Sequence, residues 1–223
     1  MSIPDSPDLK PELVASLLAS LKSWDPRASV PLALDYMEHG DRNALSGFDN
    51  LALQNPATPE MLAERYLSPT PDVEALRKLP EGTLGREFAR YLDDNGLDAN
   101  LLRESAFIPA HRERGEDVGY LAERGFQLHD LFHVLTGFDT TPLGEVRVVS
   151  FTVAQTPAPY PAMIIASRPL QMVLYQPELL PPVMDAITEG WALGRRSRCL
   201  LDVRWEDRWG DSLQELRNEF ELS

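Results

Sequence analysis

Apolar residues at Leu13, Val14, Leu17, Leu18, Leu21 and Trp24 repeat with the spacing of one helical face. The pattern predicts an amphipathic helix from Leu9 to about Asp25-Pro26, where proline stops it. A second helical pattern covers about Val30 to Met37, with Gly40 as terminator. Pro56, Pro59, Pro69, Pro71 and Pro80 then divide residues 41–80 into short pieces such as Glu60 to Leu67. This part reads as a compact helical lead-in and not as a domain of its own. The next helix covers Gly82 to Leu92, with Thr83 as N-cap and Gly96 just beyond the end. A polar, charged stretch follows to about Asp117, and a long helix is expected from Val118 to Leu135, closed by Gly137. Thr141-Pro142 is an N-cap and first-turn pair that opens another.

In that next helix, local propensity and start signal conflict. Val146, Val148, Val149, Phe151 and Val153 favour a strand. Helix is preferred because the start signal is good and no partner strand is visible elsewhere. Residues 161–195 predict two apolar helices, separated by Pro177 and kinked by Pro169. A last helix is expected near Asp202 to Leu222, with Trp205 and Trp209 one turn apart. Neither repeats nor low-complexity tracts occur. The expectation is an all-α fold: a loose Pro-rich lead-in over 1–8, then a single mostly helical domain over 9–223.

Composition narrows what such a domain can do. The 223 residues are 43% hydrophobic and 25% charged, as in ordinary globular proteins, and are enough for a substantial core. The formal net charge of -14 repels phosphate backbones, so nucleic acid is not an expected partner. It equally disfavours a basic patch on anionic lipid and leaves apolar insertion as the route to a membrane surface. Cys199 is the only cysteine, which rules out an intramolecular disulfide and a thiolate metal cluster. No stretch approaches the roughly 18–20 apolar residues of a membrane span. The first eight residues hold two acids and no arginine, unlike a signal or transit peptide.

Two of the four histidines lie in His129-Asp130-Leu131-Phe132-His133. On a helix, positions i and i+4 stand one above the other, and all three polar groups fall within roughly a quarter of the circumference. Gly137 ends this helix, and the helix begun by Pro142 carries Glu145 in its first turn. A tight antiparallel turn would bring Glu145 back to the His133 end, so that two imidazoles and two carboxylates converge. Nitrogen and oxygen donors of this kind suit Zn, Fe, Mn or Co and leave a position for water or substrate. Asp130 is the donor that could instead orient a neighbouring histidine. A histidine-aspartate doublet also occurs in HD phosphohydrolases, but that site needs a further histidine and aspartate. His111 and Asp139 or Asp202 could be pressed into service, but none sits on a convincing helix face. His39 and His111 lie in polar surroundings and receive no role.

These residues resemble the coenzyme Q (ubiquinone) biosynthesis protein four family, whose metal motif is His-Asp-x-x-His, eleven residues and Glu. His129-Asp130-Leu131-Phe132-His133, then Val134 to Gly144, then Glu145, match it. Leu79-Pro80-Glu81-Gly82-Thr83-Leu84-Gly85-Arg86-Glu87-Phe88 is similar to the family's segment upstream of the site. Arg204-Trp205-Glu206-Asp207-Arg208-Trp209, followed by Ser212-Leu213, resembles its C-terminal helix. The likeness runs from about residue 10 to the end. It implies a helical, peripheral membrane protein of quinone synthesis, either an enzyme or a non-catalytic lipid-binding scaffold. The reaction implied is removal of the ring carboxylate of a polyprenylated 4-hydroxybenzoate, with hydroxylation at the same carbon. The resemblance also implies zinc, with iron or manganese as alternatives, held by His129, Asp130, His133 and Glu145. A homodimer and other ubiquinone-biosynthesis enzymes are the implied partners. Lacking a transit peptide, the chain looks bacterial, placed on the inner face of the cell membrane.

A polyprenyl tail requires an apolar channel or the bilayer itself. The sequence offers Met163, Ile164 and Ile165, with Leu170, Met172, Val173 and Leu174, and the pieces around Leu179-Leu180 and Val183-Met184. Arg86, at a helix start, is the candidate for an anionic head group.

Overall fold

A computed structural model describes residues 9–25, 29–100, 102 and 107–223. The expected lead-in at 1–8 lies outside the described residues, as does Pro26. The elements are α1 (Pro11–Ser20), α2 (Val30–His39), α3 (Arg42–Leu53), α4 (Thr58–Glu64), α5 (Val73–Leu76) and α6 (Leu84–Asn95). They continue with α7 (Phe107–Arg112), α8 (Glu116–Thr136), α9 (Pro142–Gln155), α10 (Pro159–Tyr175), α11 (Leu180–Arg196) and α12 (Leu213–Glu219). Among the described residues there is no strand, only an isolated bridge between Thr83 and Ser212. The fold is all-α, and the valine-rich segment 146–153 is helical.

Helix α8 runs through the middle. Leu121, Leu128, Leu131, Phe132 and Leu135 project from it into the main core, where they meet Leu84, Phe88 and Leu92 of α6 and Val148 and Phe151 of α9. Helix α11 packs along α9 because two glycines remove the side chains that would hold them apart. A Cβ on Gly190 would stand 2.1 Å from the Arg147 carbonyl oxygen, and one on Gly194 would stand 2.6 Å from that of Phe151. Buried Arg124 of α8 donates to the carbonyls of Leu201 and Val203, pinning the segment that follows α11 onto the core.

Three expectations are corrected. Helix α1 stops at Ser20, and Trp24 lies beyond it, donating its indole N–H to Gln176 at 2.9 Å. The polar stretch before Asp117 contains α7, whose six residues are too few for a period to show; Phe107, Ile108 and His111 are buried there. The continuous helix expected from Asp202 to Leu222 is instead one 3-10 turn, Trp205–Asp207, then a loop and the short α12. The loop's carbonyls are needed elsewhere. Those of Trp209 and Asp211 accept from Gly85 and Leu84, each at 2.9 Å, and so serve the free N–H groups at the start of α6. Thr83 occupies the N-cap position of α6, yet its hydroxyl donates to the Pro80 carbonyl and not to the cap.

Candidate metal centre and its cavity

The turn between α8 and α9 creates the site. Gly137 closes α8 in the left-handed conformation, φ 77°, which a side chain would strain. Arg217 of α12 donates to the carbonyls of Val134 and Leu135, both at 2.9 Å, satisfying orphan acceptors of the last turn. Thr141 then caps α9 by accepting from the Gly144 N–H at 3.2 Å, and Pro142 takes the first helical position. The reversal swings Glu145 over α8.

Glu145 faces both histidines, 3.7 Å from His129 Nε2 and 3.5 Å from His133 Nε2. One donor atom from each of His129, His133 and Glu145 falls within 4.8 Å of the others. The Glu145 distances already suit donors sharing one ion at about 2.0–2.2 Å from each. His133 supplies the test of fit. Its Nδ1 donates to the Phe138 carbonyl at 3.0 Å, which leaves Nε2 as the lone-pair nitrogen. That nitrogen is buried without a hydrogen-bond partner. Such an orphan acceptor, with a carboxylate opposite, fits a cation between them. Tyr91 stacks on the His133 ring at 5.5 Å, and His129 meets it edge-on at 5.1 Å.

Asp130 does not join this group of three. Its carboxylate oxygens do not come within 4.8 Å of all three donor atoms. Its charge is still felt by both histidines. Burial pushes the Asp130 carboxyl up from its ordinary value, against the pull of His129 and His133. Burial also pushes Glu145 up, but contact with the two imidazoles prevails and holds it down at about 2. Tyr160 is raised to about 12, by burial first and by the charge of Glu145 next, so its phenol stays protonated at neutral pH.

An apolar cavity of about 880 Å³, counting its open mouth, adjoins His129. One of its walls is the α8 face Val118, Leu121, Ala122, Gly125, Phe126 and His129. That wall extends about 16 Å at the helical rise of 1.5 Å per residue. Phe48 and Ala52 of α3, Val149 and Thr152 of α9 and Tyr160 of α10 complete it. His111 lines it too. This corrects the reading of His111 as a residue in polar surroundings: it is 4% exposed, with Nδ1 bonded to the Phe107 carbonyl at 2.8 Å. The missed residues Tyr91, Tyr160 and His111 lie on three other helices, and no local sequence signal ties them to the site.

The proposed tail-binding residues of α10 lie elsewhere. Ile164 and Met172 are buried, and neither they nor Met163 line the cavity. Arg86 donates to the Arg77 carbonyl at the end of α5 and is likewise absent from the cavity wall. Asp139 is used in the turn, accepting from the Thr141 N–H at 3.0 Å, and Asp202 lines a different depression. The additional ligands of an HD phosphohydrolase are therefore not assembled around His129 and His133.

Comparison with known proteins points one way. The family model described as "Coenzyme Q (ubiquinone) biosynthesis protein Coq4" matches residues 36–223. The mitochondrial ubiquinone biosynthesis protein COQ4 homolog of Danio rerio is 36% identical over 155 residues, 69% of this chain and 54% of that protein. The Homo sapiens homolog is 30% identical over 225 residues, covering 99% of this chain and 81% of the human protein. The chain thus spans little more than half the length of the zebrafish protein and of the two Xenopus homologs it also matches. A crystal structure from Nostoc punctiforme, of a protein assigned to ubiquinone biosynthesis, superposes with a TM-score of 0.73. It is 25% identical and covers 95% of this chain and 97% of its own.

Proposed function

The chain belongs to the coenzyme Q (ubiquinone) biosynthesis protein Coq4 family, and from that membership we propose that it is a metal-dependent enzyme of ubiquinone biosynthesis. Its reaction is oxidative decarboxylation of a polyprenylated 4-hydroxybenzoate. The ring carboxylate leaves as carbon dioxide and a hydroxyl group takes its place, with a two-electron oxidant from outside the chain. The observation that carries this reading is the gathering of His129, His133 and Glu145 beside an apolar cavity, with His133 Nε2 buried and unpartnered. His129, His133 and Glu145 would hold the cation, and Asp130 stands by as an outer carboxylate. Zinc suits this donor set, as do iron and manganese. Bound there, the cation supplies a Lewis acid for the charge that develops as carbon dioxide leaves. The chain's own residues do the rest. The α8 wall excludes water and holds the hydrocarbon chain, with the protonated Tyr160 among the lining residues.

The test is elemental analysis of the purified protein followed by incubation under air with a 4-hydroxybenzoate bearing a short prenyl chain. Release of carbon dioxide by the wild type and its loss in Glu145→Gln are expected. Tight binding by the fully metal-loaded wild type without turnover overturns the enzyme and leaves a lipid-binding scaffold.

Membrane contact belongs to the same reading. No helix among the described residues is long and apolar enough to cross a membrane. Leu170, Val173, Leu174 and Tyr175 of α10 and Met184 and Trp191 of α11 are nevertheless exposed. This surface suits peripheral contact on the side that delivers the insoluble substrate. A second copy of the chain and other enzymes of ubiquinone synthesis are the further partners we propose.

A further inference from the structure

Helix α8 carries two interior glycines with opposite surroundings. At Gly119 a Cβ would stand 2.9 Å from the Cα of Arg112, so close packing of α7 requires glycine there. At Gly125 a Cβ would meet nothing within 4 Å. No neighbour demands the missing side chain, the backbone is helical, and the residue is only half-buried. A glycine inside a helix is less stable than alanine because it gives up more backbone freedom on folding. The space left open at Gly125 belongs to the cavity, whose wall includes it. Gly125 also lies one helical turn before His129, on the same face.

We infer that Gly125 sets the bore of the cavity next to the metal centre and so decides whether a branched hydrocarbon chain can enter. Ala122, Gly125 and His129 share the α8 wall, and Val149 and Thr152 of α9 line the same cavity. A ring held beside His129 would send its chain past Gly125 toward Val118. A Cβ at 125 would meet no protein atom within 4 Å at a residue of the cavity wall, so a larger side chain there should narrow the passage without disturbing the fold. The inference rests on the reading of the cavity as the substrate site.

The experiment uses zinc-loaded full chain and farnesol, an isoprenoid alcohol without ring or carboxylate, so that chain binding is measured apart from the reaction. Wild type binds farnesol. Gly125→Ala is expected to unfold about 2–4 °C higher and to bind farnesol more weakly. Gly125→Leu is expected to lose about tenfold or more in farnesol affinity, with zinc binding and helical circular dichroism unchanged. Gly125→Val lies between and completes the series should the leucine variant not fold. Farnesol affinity unchanged across the folded variants overturns the inference, as does a wild type that binds no farnesol. Graded farnesol affinity in a protein that never turns over the prenylated hydroxybenzoate leaves the role of Gly125 standing and removes the enzymatic reading.

Discussion

Three side chains, His129, His133 and Glu145, bring donor atoms within 4.8 Å of one another, and each answers to its surroundings. Glu145 keeps its charge despite burial because His129 and His133, when they carry a proton toward it in the metal-free chain, bond to its carboxylate and hold the carboxyl down at about 2. Glu145→Ala removes the sole oxygen donor of the group, so zinc affinity should fall by about tenfold or more while helical circular dichroism is retained, as competition with a zinc indicator will measure. His111 predicts a pH effect of known sign. Burial lowers its pKa below the usual 6.5, and the Phe107 carbonyl only partly opposes this. The unfolded chain therefore takes up this proton before the folded one does. Its contribution is complete above about 6.5 and declines as pH falls below that value. Denaturant midpoints at pH 7 and pH 5 should differ less in His111→Phe than in the wild type. At this scale the spacing of His129 and His133 was legible, since helical geometry alone superposes i and i+4. The separation of Asp130 from the group was not, because it depends on where α9 delivers the partner carboxylate.

The candidate metal centre is a property of two helices and the turn that joins them, so changes that leave all three donors intact should still weaken it. In Arg217→Ala the carbonyls of Val134 and Leu135 lose their partner, costing about 1–3 kcal/mol in urea denaturation. Zinc affinity should fall with it, because His133 belongs to that last turn. Gly190→Ala forces a Cβ against the Arg147 carbonyl and should cost about 1–3 kcal/mol by pushing α11 from α9. A stability equal to the wild type in both variants would show that these contacts do not brace the site. Boundaries marked by glycine, proline and threonine were legible, as at Gly96, Gly137 and Thr141-Pro142. The C-terminal segment was not. Trp205 and Trp209 have helical spacing, but Trp205 is fully buried with its indole bonded to the Leu200 carbonyl, and Trp209 stacks on Phe88 at 5.5 Å. Those long-range demands, with the cap that this loop provides for α6, outweigh its local helical preference.

Across the whole molecule, an acidic exterior of net charge -14 coexists with the exposed apolar residues of α10 and α11. Contact with a bilayer should therefore be driven by apolar area and opposed by anionic lipid. Flotation with phosphatidylcholine vesicles should recover the protein, added phosphatidylglycerol should reduce recovery at low salt, and Val173→Lys with Leu174→Lys should abolish it. Stronger recovery on anionic vesicles would contradict this. The hydrophobic pattern picked out α10 for lipid, yet within one helix Val173 and Leu174 face outward while Ile164 and Met172 complete the interior. By itself the sequence determined the helical class, the helix ends marked by glycine or by Thr141-Pro142, and the approach of Glu145 to two histidines, because these depend on periods, caps and short separations that a helix and one turn impose locally. The tertiary structure alone decided that three donors and not four gather, that His111 and Gly125 border the cavity, and which apolar residues remain outside. Those outcomes depend on distances between elements far apart in the chain, and packing of α3, α6, α7, α9 and α12 around α8 sets them.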